Sequence, residues 1–181
     1  MKKVIIPKPK EYLKQGARYC GGYTIKAILS AYNLDDGRHP KKYVPIKSLG
    51  FTTPKLMQET LQYHKFDATV KRANMLSDGK KIQEIKKELD KNHPVTLLIG
   101  NGYSPWGKYS KVRRNLFSHW ISVWGYDNKK KTFFIYDSCA DPKSYDKLPV
   151  GNVERTYEQV LRDWKGVFYF KSFLYLSIIK R

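Results

Sequence analysis

Residues 118–137 read Ser-His-Trp-Ile-Ser-Val-Trp-Gly-Tyr-Asp-Asn-Lys-Lys-Lys-Thr-Phe-Phe-Ile-Tyr-Asp. Two runs rich in β-branched and aromatic residues, 119–126 and 132–137, flank the polar stretch 127–131, which is the pattern of a β-hairpin. Alternate strand residues share a face, so His119, Ile121 and Val123 fall together, and Phe133, Ile135 and Asp137 form the matching set. A hairpin loop of three or five residues puts both sets on one sheet face, with His119 opposite or diagonal to Asp137. A carboxylate that accepts from one imidazole nitrogen leaves the other facing a nucleophile, the orienting logic of a catalytic triad. His39, His64 and His93 have no carboxylate at a comparable hairpin position.

Working outward, the nucleophile must come from elsewhere in the chain. The sequence holds two cysteines, Cys20 and Cys139. That is too few for a disulfide scaffold or a cysteine-only zinc site, and no metal or cofactor is expected. After Cys20-Gly21-Gly22, the residues Ile25, Ile28, Leu29 and Tyr32 recur at helical spacing, so Cys20 stands at the mouth of a helix. The unpaired N–H groups and partial positive charge of a helix N-terminus favour the thiolate. Gly21 and Gly22 are expected to let a substrate backbone approach. Gln15, the only glutamine before Cys20, offers a side-chain amide that could complete an oxyanion hole with the Cys20 backbone N–H. Cys139 follows Asp137 by two residues and points the same way if the strand continues; a bystander thiol is preferred there over a redox partner of Cys20.

Thr53-Pro54 supplies a cap and a first-turn proline for a second helix, with Leu56, Met57, Leu61 and Phe66 along its stripe. Ala68–Lys71 reads as a short strand. Ser77 or Asp78 opens a third helix, buried through Ile82, Ile85 and Leu89 and ended before His93-Pro94. Val95–Ile99 is an apolar strand. Asn101–Ser118 is read as a long loop that borders the cleft as a lid or specificity element. In it Tyr103, Trp106 and Tyr109 are candidate walls, while Lys108, Lys111, Arg113 and Arg114 make a positive edge. Ser118 and Trp120, which flank the histidine, join Gly21, Gly22, Tyr103 and Trp106 as candidate substrate contacts. Tyr157–Trp164 is a last helix and Phe168–Ile179 closes with one or two strands. Pro7 and Pro9 keep residues 1–14 extended. Helices first and an antiparallel sheet after them give an α+β layout, expected to form a single domain over 1–181.

The chain has 181 residues, 41% hydrophobic and 14% aromatic, enough for a sizeable core. No apolar run is long enough to cross a bilayer. The start imitates a secretory signal, but Pro7 and Pro9 interrupt it and no small-residue cleavage site follows. A cytoplasmic protein, or one exported without a cleavable N-terminal signal, is expected. Net charge is +19, with lysines in scattered pairs and one triplet, Lys129–Lys131, rather than concentrated in one helix. An acidic partner surface is compatible with it, whereas nucleic-acid binding is disfavoured because no recognition motif accompanies the charge.

Gln15 and Cys20-Gly21 ahead of a helix, a strand after His93-Pro94, the segment Ser118–Asp127 and the pair Tyr136-Asp137 together resemble the C39-like branch of the papain-like cysteine peptidases. The segment Thr156–Gln159 with Trp164 and a terminal strand is similar to that family's ending. The resemblance spans about Gln15 to Ile179. It implies a helical half carrying Cys20 as nucleophile and a β half carrying His119 as general base and acid and Asp137 as its orienter. It also implies Gln15 as oxyanion donor and a peptide or protein as substrate. Here Gln15 stands five positions before the cysteine, where the family usually has six, and the lead into His119 is bulkier and more basic. A thioester route also serves amidases and acyltransferases, and a catalytically idle recognition module is the alternative of a different class.

Overall fold

The computed structural model describes residues 1–16, 18–104, 108–140, 147–166 and 172–181, so Trp106 lies outside the described residues. The elements run β1 (Lys2–Val4), α1 (Cys20–Ala31), α2 (Pro54–Tyr63), β2 (Phe66–Arg72), α3 (Asp78–Asp90), β3 (Val95–Gly100), α4 (Lys111–Leu116), β4 (Ser118–Asp127), β5 (Thr132–Tyr136), β6 (Val153–Thr156), α5 (Tyr157–Trp164) and β7 (Leu174–Lys180). The layout is α+β. The sheet has seven strands in the order β2-β7-β3-β4-β5-β6, with β1 beside the far end of β4. Every strand pair in it is antiparallel.

Helix boundaries follow from local chemistry. Thr53 Oγ1 accepts from Leu56 N at 3.1 Å, and Pro54 occupies the first helical position of α2, where a missing N–H costs nothing. Helix α5 opens with a reciprocal capping box between Thr156 and Gln159. Helix α1 differs from both: after Cys20 all its residues are buried, so it runs through the core rather than over it. Large side chains of β4 and β5 are fully buried in the core, among them Trp120, Trp124, Phe133 and Tyr136.

The hairpin reaches its expected outcome by another route. Asp127 pairs with Thr132, so the turn has four residues, 128–131, not three or five. An even turn on unbroken strands would set Asp137 on the sheet face opposite His119. A bulge between Val123 and Gly125 takes Trp124 out of the ladder, and Ser122 then pairs with Tyr136. Four turn residues and one bulged residue restore the odd number, and His119 and Asp137 share a face, diagonal to each other.

Three elements escape the sequence reading. Helix α4 lies inside the segment read as loop, capped by Ser110 Oγ accepting from Arg113 N at 3.4 Å. Strand β1 emerges from the segment read as an extended arm, because β4 is long enough to pair with both β3 and β1. Strand β6 is polar, Val-Glu-Arg-Thr, and shows no hydrophobic alternation. At the C-terminus, the part of the expected strand region at 168–171 lies outside the described residues. Among the described residues no helix is long and apolar enough to cross a membrane.

Candidate active site

Cys20 is the first residue of α1, so its backbone N–H has no partner within the helix. The two residues before it with described geometry, Arg18 and Tyr19, both have positive φ, 69° and 66°. This left-handed step, held by Tyr19 N donating to Gly50 O at 3.2 Å, turns the chain abruptly into the helix and leaves the thiol at its tip. Cys20 as a residue is half-buried.

His119 sits one residue into β4, paired across β3 with Ile99, and is buried. Its Nε2 lies 2.7 Å from Asp137 Oδ1, and Asp137 directly follows β5. The ring's other nitrogen, Nδ1, is thereby free to face the cleft. Cys139 Sγ is 3.8 Å from Nδ1, and the Cys20 thiol forms its own side-chain interaction with the same imidazole.

Burial pushes the Cys20 thiol up, but His119 beside it and the backbone N–H groups of Trp120 and Gly21 outweigh that and hold it below the ordinary thiol value. Burial works against charge on His119 too, yet the Cys139 sulfur and the Asp137 carboxylate raise it well above the usual imidazole value. Asp137 is held well below the usual carboxylate range: against the cost of burial stand His119, Arg155 and the N–H of Cys139. The Cys20 thiol and the His119 imidazole are thus each shifted toward the charged form.

Arg155, on β6, is the site residue that the sequence did not reveal. It is buried, its Nη2 contacts Asp137 Oδ2, and its guanidinium stacks 4.7 Å over the Tyr103 ring. Asn152 completes the cage, since its Oδ1 accepts from Asp137 N and its Nδ2 donates to Asp137 O, both at 2.9 Å. Only a strand pairing with β5 places an arginine there, and a polar four-residue strand carries no periodic signal.

The other expected residues divide. Gln15, Tyr103, Ser118 and Trp120 line a cleft of about 830 Å³ together with Cys20 and His119. Gln15 Nε2 donates to Arg18 O at 3.0 Å and its Oε1 accepts from Ser138 Oγ, which pins the side chain at the cleft wall. Gly21 and Gly22 are used differently. A Cβ on Gly21 would stand 2.3 Å from Thr52 Oγ1, and one on Gly22 would stand 2.4 Å from Pro40 O. Their space serves close packing of α1 against the chain. Tyr109 turns away from the cleft: the Arg162 guanidinium lies 3.8 Å over its ring, tethering the 101–117 segment to α5. His119, Asp137 and Cys139 present metal-ligating atoms within 4.8 Å of one another. However, both Asp137 oxygens and His119 Nε2 are already engaged with each other and with Arg155, so the trio is built as a hydrogen-bonded relay.

Comparison with solved structures places this geometry among known proteins. A double glycine motif protease from an AMS/PCAT transporter, solved in complex with the leader peptide, aligns with a TM-score of 0.61 at 14% identity, covering 100% of this chain and 99% of that one. The peptidase domain of Streptococcus ComA, a bifunctional ABC transporter, gives 0.60 at 16%, covering 94% and 100%. The N-terminal peptidase C39 like domain of a Vibrio parahaemolyticus toxin secretion ATP-binding protein gives 0.52 at 12%, covering 92% and 100%. No curated protein matches the chain. The family model described as Peptidase_C39 like matches residues 11–163. A cysteine on a helix tip, a histidine at a strand start and an aspartate at the end of the next strand thus sit in the papain-like fold of C39 peptidase domains, and the chain belongs to the Peptidase_C39 like family.

Proposed function

We propose that this chain is a cysteine peptidase acting through a thioester intermediate, with Cys20 as nucleophile, His119 as general base and acid, and Asp137 as the group that orients the imidazole. The observation that carries the reading is the imidazole held by Asp137 at 2.7 Å through Nε2, with the Cys20 thiol interacting with the same ring and Cys139 Sγ 3.8 Å from its Nδ1. In this scheme the Cys20 thiolate adds to the substrate carbonyl, the oxyanion forms against the Cys20 N–H and the second amide hydrogen of Gln15, and the His119 imidazolium protonates the leaving amine. Water, deprotonated by the same ring, then releases the acid and restores the thiol. Arg155 acts on Asp137, fixing the carboxylate that fixes the ring, and is a positioning residue.

A peptide is the favoured substrate because the family is one of peptidases and a neighbour of the same fold was solved with a leader peptide bound. The choice of Cys20 over Cys139 rests on two features: the helix-tip position with an unpaired backbone N–H, and a thiol held below its ordinary value. The test is alkylation by iodoacetamide at neutral pH, followed residue by residue. Cys20 should react fastest, its rate should fall at least about tenfold in His119→Ala, and Cys139→Ser should leave it within a factor of about two. Equal, slow labelling of both thiols, indifferent to His119, would remove the proposal.

A further inference from the structure

We infer that the cleft selects peptides with acidic side chains beside the scissile bond, and that Arg18 and Arg113 are the residues that read them; the inference rests on the peptidase reading above. Residues 12–34, 37–58 and 91–126, which supply all but one of the described cleft-lining positions, contain no Asp or Glu at all. Among the described residues that line the cleft, Lys14, Arg18 and Arg113 are cationic and none carries a carboxylate. Asp137 lies behind the His119 ring and is spent on His119 and Arg155.

The two arginines are mounted alike, one ahead of α1 and one on α4. The Arg18 guanidinium lies 5.6 Å from the ring centre of Phe51, and that of Arg113 lies 5.2 Å from that of Phe117. Both phenylalanines line the cleft and are at least half exposed. Among the described residues neither arginine forms a salt bridge. Arg113 Nε is buried with no hydrogen-bond partner, so the outer nitrogens of the guanidinium are the ones that can meet a carboxylate. Arg18 Nη1 reaches Leu49 O at a long 3.4 Å and keeps its remaining donors. Stacking on an aromatic face orders a guanidinium while leaving its planar donor edge open, and that edge matches a carboxylate. In a cleft walled by Trp120, Leu98 and two phenylalanines, such a pair is screened less than on open surface. An amide in the same place would satisfy one donor and leave the charge unmet; a lysine would be repelled.

The experiment offers the intact protein a mixture of random-sequence peptides and reads cleavage sites by mass spectrometry at two salt concentrations. Glu and Asp should be enriched over Gln and Asn within a few positions of the cut by about tenfold, the effect of one charge-assisted hydrogen bond, and high salt should erode the preference. Arg18→Gln/Arg113→Gln should bring the ratio of acidic to amide-bearing cleavage sites down to about one, and Arg113→Glu should shift selection toward Lys and Arg. Replacing Lys129, Lys130 and Lys131 by Gln, at the far hairpin tip, should change nothing. No acidic enrichment in the parent, or enrichment that persists in the double variant, overturns the inference. If no peptide is cut, the peptidase reading fails on its own account. Capture of the same mixture by the Cys20→Ala protein then decides the inference, acidic peptides retained supporting it and indiscriminate retention refuting it.

Discussion

On the sheet side of the cleft, His119 is tied through Asp137 to Arg155, a buried run of charged groups caged by Asn152. On the helix side, Cys20 is held by backbone and shape: two left-handed residues, an unpaired N–H, and glycines that admit Thr52 and Pro40. One wall is therefore specified by side-chain chemistry and the other by steric fit. The first should fail when a charge is removed. The second should fail when a methyl group is added.

The severest break is Asp137→Ala. It leaves Arg155 buried without its counter-charge, and uncompensated buried ions cost about 3–5 kcal/mol. Urea unfolding should register a loss of that order, and a loss below about 1 kcal/mol would show that the charged run is not what holds the sheet wall. On the helix wall, Gly21→Ala sets a methyl 2.3 Å from Thr52 Oγ1. Thr52 Cβ stands 2.4 Å from the same methyl, so side-chain rotation cannot relieve the clash and the chain must shift, at a cost of about 1–3 kcal/mol or more. The same change should slow Cys20 alkylation, whereas a variant as stable and as reactive as the parent would mean that the chain at Thr52 shifts without disturbing the thiol.

A gentler probe is the pH dependence of stability. Asp137 is depressed in the native state, so its contribution is complete above its unfolded value of about 4 and is lost as pH falls through the native one. His119 is raised, so its contribution is complete below its unfolded value of about 6.5 and is lost as pH rises through the native one. The contribution of this pair to Tm should accordingly form a plateau between about pH 4 and pH 6.5 and decline on either side, and Asp137→Asn should flatten the profile relative to the parent. Parent and Asn variant with superimposable profiles would detach the pair from stability altogether.

Much of this architecture was legible because the informative residues are periodic or capped. Thr53-Pro54 marked α2, Ile82, Ile85 and Leu89 marked α3, and the alternation around Ile121 and Ile135 marked the hairpin that carries His119 and Asp137. What stayed hidden has tertiary causes. The bulge at Trp124 follows from fitting a four-residue turn to the sheet, and nothing in the string Val-Trp-Gly announces it. Arg155 lies on a polar strand with no hydrophobic alternation, and its burial exists only once β6 lies against β5. Gly21 and Gly22 were read as room for substrate, yet the room is filled from within the protein by distant residues. Helix α4 was obscured by its cationic, glycine-flanked surroundings.

The burial of α1 along its whole length has one more consequence. A nucleophile borne on a surface loop can lose its alignment while the protein stays intact, because the loop loosens at a lower temperature than the interior. Here the sulfur is the tip of a post sunk in the interior, and surface agitation reaches it only through the short left-handed step before it. Loss of alignment and collapse of the fold are then a single event, so the upper temperature limit for chemistry is set by the melting of the molecule itself.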